Sequence, residues 1–316
     1  TIDLMWASPP CQAFSLAGKR LGAKDERNGW PWTFDVVDHV RPRWVATENV
    51  VGLIHHREEC PSEDCAGCYW EGVVRDFKKR YAHVSWRVLD AADYGVPQRR
   101  RRVFLVAGPE PYYWPESTHS RSTLARQKWV TGEYWAEHGV SPVGKPSADE
   151  SRWVPRGGWD DGLPRWRTFR DVVDLPGKVG WCSIVNQSAS DYRVVKSADI
   201  PINTVTAGSE ISHGGSGFAV TFGYDEGDVV PLGQAYLKAG DTKQGLRRLL
   251  VGESARLMGL PVGKVFSGNL VAQRQQVGNG CCPPIVTAIG RAITMSDAAI
   301  RPVKAQVVLD FTGETW

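Results

Sequence analysis

Apolar and polar positions along the first third of the chain switch between two periods. Short apolar runs at Ile2–Ala7, Trp44–Thr47, Val84–Leu89 and Val103–Ala107 read as strands, the second of them ending at Glu48-Asn49. Between them, Thr33–Val40 and Val73–Tyr81 carry apolar residues at helical spacing. Strands alternating with helices predict an α/β fold with a parallel or mixed sheet covered on both faces. In such sheets the working residues gather in loops past the carboxyl ends of strands, where Cys11 and Glu48 are expected. Residues 109–167 lose this periodicity to Pro, Trp, Gly, Ser and charges, and read as loop. Residues 168–245 read as short strands and turns with a glycine-rich loop at Ser212–Gly217. Helical spacing returns at Glu253–Leu260, ahead of Pro261, and at Pro283–Met295, after a Gly-Asn-Gly turn. The pattern divides the chain into 1–108, 109–245, 246–296 and a tail at 297–316 that carries no readable signal.

Composition narrows the class without naming a function. A chain of 316 residues with 42% hydrophobic and 23% charged positions is an ordinary globular sequence with room for two domains. No run of about 18 apolar residues occurs, which argues against a membrane-spanning helix. The chain opens directly on a strand-like stretch with no leader, and on Thr1 instead of Met, as a cut or processed end would. The net charge of +3 is compatible with a polyanionic partner but too small to require one. Basic residues do concentrate at Gln98-Arg99-Arg100-Arg101-Arg102, a run that reads either as a solvated face or as a phosphate contact. Seven clustered cysteines fit a reduced, cytoplasmic protein better than a secreted disulfide scaffold.

Three elements offer chemistry. Pro9-Pro10-Cys11-Gln12 places a thiol on a proline-stiffened turn after a strand, which suits a presented nucleophile, although a lone cysteine also serves as a small core residue. Glu48 would share the same sheet edge, or be a plain strand-end carboxylate. The arginines ahead of Val103 offer forked donors to a carbonyl or phosphate oxygen.

Taken in order, these elements resemble the cytosine-C5 DNA methyltransferase family. Pro10-Cys11-Gln12-Ala13-Phe14-Ser15 resembles its catalytic-cysteine motif, and Asp25-Glu26-Arg27, Val40-Arg41-Pro42 and Glu48-Asn49-Val50 follow in the family's order. Asp93-Tyr94-Gly95-Val96-Pro97-Gln98 with Arg100 and Arg102 resembles the Gln-x-Arg-x-Arg motif. Arg248-Leu249, Glu253 and Arg256–Pro261, then Gln276–Gly280 with Pro283-Pro284, resemble the last two motifs.

The resemblance implies a Rossmann-like sheet of the S-adenosylmethionine-dependent type, with an inserted smaller target-recognition domain within 109–245. It implies transfer of a methyl group to C5 of a cytosine flipped out of duplex DNA. Cys11 would attack C6, Glu48 would hold N3 and the exocyclic amine, and Arg102, with Arg100 beside it in the motif, would stabilise charge at O2. Asn49 and Gln98 would brace these loops. Trp30, Asn279 and Gly280 would line the cofactor site; Gln12, Ser15, Thr204 and the loop glycines Gly214 and Gly215 would meet DNA. A tRNA-methylating branch of the family is the rival for substrate, and a DNA-binding remnant is the rival for activity.

Two departures stand out. The family's Asp/Phe/Gly-rich cofactor motif is expected ahead of the cysteine strand, and only Val308–Gly313 echoes it, at the far end. The reading is an N-terminally incomplete sheet, that of a truncated chain or of one half of a two-chain enzyme that a complementary N-terminal chain or segment would finish, with circular permutation as the alternative. The insertion after Glu48 carries His55-His56, Cys60, Cys65 and Cys68, and three thiolates with His56 suit a structural zinc as well as an ordinary loop.

Overall fold

The computed structural model describes residues 2–10, 26–55, 66–142, 146, 151, 154, 161–173, 179–183, 192–194, 196–205, 218–222, 229–231 and 246–298. The chain divides into two compact units. The first holds Thr1–Asp90, Arg101–Pro115 and Thr287–Trp316; the second holds Ala91–Arg100 and Glu116–Val286.

The first unit is built on a mixed sheet of four strands, β1 (Leu4–Ala7), β2 (Trp44–Val50), β3 (His83–Asp90) and β5 (Arg101–Gly108), in the order β1-β2-β5-β3. Strands β1 and β2 run parallel, while β5 is antiparallel to both β2 and β3. Successive side chains of a strand face opposite ways, so the register Val45↔Ala107, Thr47↔Leu105 and Asn49↔Val103 defines one face. Helices α1 (Trp30–Val40) and α2 (Ala66–Lys78) supply the apolar stripes Trp30/Val37 and Trp70/Val73/Phe77, which bury in one core with Val45, Val103, Leu105 and Ala107. Pro31 at the start of α1 costs no hydrogen bond, and the left-handed Arg41 (φ 48°) ends the helix just before Pro42. The opposite face carries Trp44, against which Gly108 must be bare, because a Cβ there would overlap the indole ring. The last helix, α7 (Pro283–Ala298), buries Ile289 and Ile293, and its Asp297 binds both Arg43 (2.5 Å) and the Trp44 indole (3.1 Å).

Two sequence expectations shift here. Glu48 and Asn49 do not lie in a loop past the strand. Strand β2 continues through Val50 because β5 offers ladder partners as far as Arg102. Nor does the basic run wholly precede a strand: Gln98 and Arg99 form β4 and Arg101 opens β5, with Arg100 between them.

In the second unit, β6 (Val179–Ser183), β8 (Lys196–Ser197), β10 (Phe218–Phe222) and β12 (Leu246–Arg248) make an antiparallel sheet in the order β12-β10-β6-β8. Strand β7 (Tyr192–Val194) pairs with β11 (Val229–Pro231), and β4 runs parallel to β9 (Ile202–Asn203). The stretch expected to be loop contains two short helices, α3 (Arg121–Arg126) and α4 (Glu133–His138), joined by a π turn. They fold because Leu124, Tyr134, Trp135 and Trp166 bury one another around Ala92. The helix α5 (Val251–Leu257) starts earlier than its spacing suggests, with the Glu253 carboxylate accepting from the Leu250 N–H at 2.8 Å. A further helix, α6 (Leu270–Asn279), absorbs most of the expected Gly-Asn-Gly turn, leaving Gly280 as its cap. Among the described residues, no helix is long and apolar enough to cross a membrane.

Candidate active site

In the first unit, the carboxyl end of β1 runs into Pro9 and Pro10, and two contacts hold that turn. The Asn49 amide donates to the Pro9 carbonyl (3.1 Å), while its oxygen accepts from the Val50 N–H (2.9 Å). Gly29, at the start of α1, lies so close that a Cβ there would be 2.6 Å from Pro10 Cδ. The Thr33 hydroxyl donates to the Gly29 carbonyl (2.8 Å), fixing that approach from inside the helix. Asn49 thus braces the turn that precedes Cys11. Cys11, Gln12 and Ser15 themselves lie outside the described residues.

On the neighbouring strands, Glu48 stands opposite Phe104 and Arg102 stands opposite Val50, so the two charged residues are diagonal neighbours on one face. Arg102 Nε lies 3.0 Å from Glu48 Oε1, with 15% and 10% of the two side chains exposed. Carboxylate and guanidinium are therefore held ready-paired, largely out of water, at the same end of the sheet as the Pro9-Pro10 turn. That face also carries Trp6, packed edge-on to Phe104 at 6.3 Å between centroids.

Arg100 behaves differently from its expected catalytic role. It lies in the second unit, 4% exposed, and its guanidinium donates to the main-chain carbonyls of Val205 (3.0 Å), Gly278 (3.1 Å) and Gly280 (3.1 Å). Gln98 is fully buried; its Oε1 accepts from the Val205 N–H (2.9 Å) and its Nε2 donates to the Leu257 carbonyl (2.9 Å). Thr204 is half-buried, and its hydroxyl donates to the Arg99 carbonyl (2.8 Å). Asn279 is exposed at the end of α6 and Gly280 is half-buried, so both can be reached by a ligand. Trp30 cannot as it stands: it is fully buried against Phe34, Trp70 and Phe77 in the core of the first unit. Its indole Nε1 is buried without a partner, an orphaned donor that would suit a polar ligand group if the core opened there. Of the proposed zinc ligands only Cys68 is described, as a half-buried cysteine outside any disulfide; His56, Cys60 and Cys65 lie outside the described residues, as do Gly214 and Gly215.

Nothing in the residue pattern signals the Gly29–Pro10 approach, or that Arg43 and Trp44 share Asp297. Both depend on residues that meet only through the fold.

The solved structure of an Entamoeba histolytica methyltransferase, EhMeth, aligns over 93% of this chain and 77% of its own with a TM-score of 0.52, at 14% identity, which establishes a shared methyltransferase fold. The family model of C-5 cytosine-specific DNA methylases matches residues 1–295, and the chain belongs to that family. Type II methyltransferase M.AplI of Arthrospira platensis is 24% identical over 93% of this chain, and M.NaeI of Lentzea aerocolonigenes is 28% identical over 92%. M.AquIA of Picosynechococcus is 40% identical over a shorter stretch, 40% of this chain. The chain spans 69% of M.AplI, 59% of M.NaeI and 52% of M.AquIA.

Proposed function

We propose that this chain carries the base-attacking and DNA-reading parts of a DNA (cytosine-5-)-methyltransferase. The observation that carries the reading is the Glu48–Arg102 pair, 3.0 Å apart and mostly buried, beside a turn that Asn49 ties down ahead of Cys11. Cytosine C5 is a weak nucleophile. Addition of the Cys11 thiolate to C6 makes C5 enamine-like, while Glu48, having first taken up a proton from solvent, passes it to N3 and Arg102 balances charge growing at O2. C5 then takes a methyl group, for which S-adenosylmethionine is the donor in this family. Loss of the C5 proton to water, with return of the N3 proton to Glu48, restores the 5,6 double bond and expels Cys11 as its thiolate.

Trp30, Asn279 and Gly280 are the residues that the family resemblance assigns to that donor. Duplex DNA is favoured over tRNA by the type II methyltransferases among the relatives and by the stretch 109–245, which has room for a target-recognition domain. Thr204 would grip the backbone there, with Gln12, Ser15, Gly214 and Gly215. Strand β1 pairs only with β2 among the described strands, and its open edge suits further strands from a complementary N-terminal segment. A zinc on Cys60, Cys65, Cys68 and His56 would close the insertion before α2; less than one zinc per chain after chelator-free purification would remove it. Cys68, Cys281 and Cys282, none of them in a disulfide, suit the reducing bacterial cytoplasm.

The test is transfer of labelled methyl to duplex DNA and to tRNA, by this chain and by Cys11→Ala, each with and without the front segment of a relative. Label in DNA that is lost in the variant is the expected result. Label in tRNA alone, or none in any combination, overturns the proposal.

A further inference from the structure

Arg100 sits in a run of four arginines, yet its chemistry is that of an internal clamp. Its three carbonyl partners come from two distant stretches of the second unit: Val205, next to Thr204, and Gly278 with Gly280, which flank Asn279. A guanidinium suits this task because its planar fork points several donors outward from one rigid group, which an ammonium on a flexible stem cannot do. The buried charge is compensated in part by the carboxyl end of α6, where the helix dipole is negative and carbonyls lack helical partners. Gln98 completes the clamp on the other side. It accepts the Val205 N–H while Arg100 takes the Val205 carbonyl, so both polar groups of that residue are engaged.

On the function proposed above, these two stretches have different ligands: Thr204 faces DNA, and Asn279-Gly280 faces the methyl donor. We infer that Arg100 is a positioning residue that couples the two, so that ordering of the Thr204 segment by DNA also orders the 278–280 turn, and the reverse. Such coupling is reciprocal: DNA raises the affinity for the donor by the factor with which the donor raises the affinity for DNA. It would favour assembly of both substrates before chemistry, and it needs no contact of Arg100 with either.

Amide hydrogen exchange on the full chain tests this, comparing wild type with Arg100→Lys and Thr204→Val. Lysine keeps the charge but not the fork. Exchange in Arg100→Lys should rise on the order of tenfold in residues 202–205 and 277–280 together, whereas Thr204→Val should loosen only 202–205. Duplex DNA added to the wild type should protect both stretches, and added to Arg100→Lys only the first. Loosening of one stretch alone, or of neither, in Arg100→Lys overturns the coupling. If that variant does not fold, the wild-type arm decides: protection of 202–205 by DNA without 277–280 overturns it, and joint protection upholds it. DNA that protects neither stretch, with no methyl transfer, sinks the proposed function instead, and the free-chain comparison still decides the clamp.

Discussion

Replacing Glu48 by glutamine keeps the shape of the side chain while removing its charge and its transferable proton, so stability and catalysis can be read separately. An exposed ion pair contributes under about 1 kcal/mol, whereas stripping one partner from a buried pair costs about 3–5 kcal/mol. The Glu48–Arg102 pair lies between these limits but nearer the second, with 10% and 15% of its side chains exposed. The strands set both side chains in diagonal register, so little rotamer freedom remains to be lost on pairing. Because the substituted amide can still accept one hydrogen bond, a loss of about 2 kcal/mol is expected. Urea unfolding at neutral pH measures it. Removing both charges, with Arg102→Met as partner, should cost about 1–2 kcal/mol less than the two single changes summed, the sign of a direct interaction. Single-turnover methyl transfer at saturating DNA should fall on the order of 10²–10⁴-fold in Glu48→Gln, as expected for loss of a positioned proton donor. That is far more than the change in folded fraction can produce. Additive stabilities would show that the two side chains do not interact in solution. A rate within about twofold of wild type would show that Glu48 donates no proton.

Two further predictions rest on geometry elsewhere. Gly29→Ala puts a Cβ 2.6 Å from Pro10 Cδ, on a ring that cannot swing aside, so the turn before Cys11 must shift. The turnover number should drop between about ten- and a hundredfold with DNA affinity unchanged, and full activity would show that the turn does not position the thiol. In the second unit, burial lowers the pKa of the half-buried His119, helped by the charges of Arg167 and Arg165, and its ring lies against Gly95 (φ +81°), where an added Cβ would come within 2.5 Å of it. Burial pushes the Asp171 carboxyl up, but hydrogen bonds from Arg165, its charge, the Thr168 N–H and His138 outweigh that and hold it below the usual range. Both folded values lie below their unfolded ones, so each group stabilises above its unfolded pKa and loses that contribution as pH falls through the folded one. Unfolding free energy should therefore decline in two stages, below about pH 6.5 and again below about pH 3.9, and His119→Gln should abolish only the first. A single decline, or a first stage that survives His119→Gln, would count against this reading.

The strands of the first unit were legible because each is a compact apolar run, and α1 and α2 because their stripes repeat at helical spacing. What escaped the sequence was whatever a partner strand or distant segment decides. Periodicity places Glu48 at a strand end, but only the pairing of Val50 with Arg102 extends β2 and brings the carboxylate to a residue 54 positions away, as 102 minus 48 gives. Helix α6 was invisible for the opposite reason: Gln273, Gln275 and Gln276 dilute its stripe, and of its residues only Arg274, Val277 and Gly278 are buried. Helices α3 and α4 were hidden by their brevity, since aromatic burial and not local propensity holds them.

The basic run Gln98–Arg102 shows most directly why composition underdetermines chemistry. As a string it reads as a solvated face or a phosphate patch. In the structure Arg101 alone of its residues is exposed; Gln98 and Arg100 are buried, and Arg99 lies over the Trp166 ring at 5.2 Å. Arg102 engages a carboxylate at the sheet end, Arg100 three carbonyls. The chain passes from one compact unit to the other between Arg100 and Arg101, so two identical side chains, two residues apart, belong to different cores. A lysine in either place would keep the net charge and lose the function argued for it, because both depend on the fork of the guanidinium. The Gln-x-Arg-x-Arg spacing is thus a record of two separate demands on geometry, one for the Glu48 carboxylate at the sheet end and one for the carbonyls of Val205, Gly278 and Gly280.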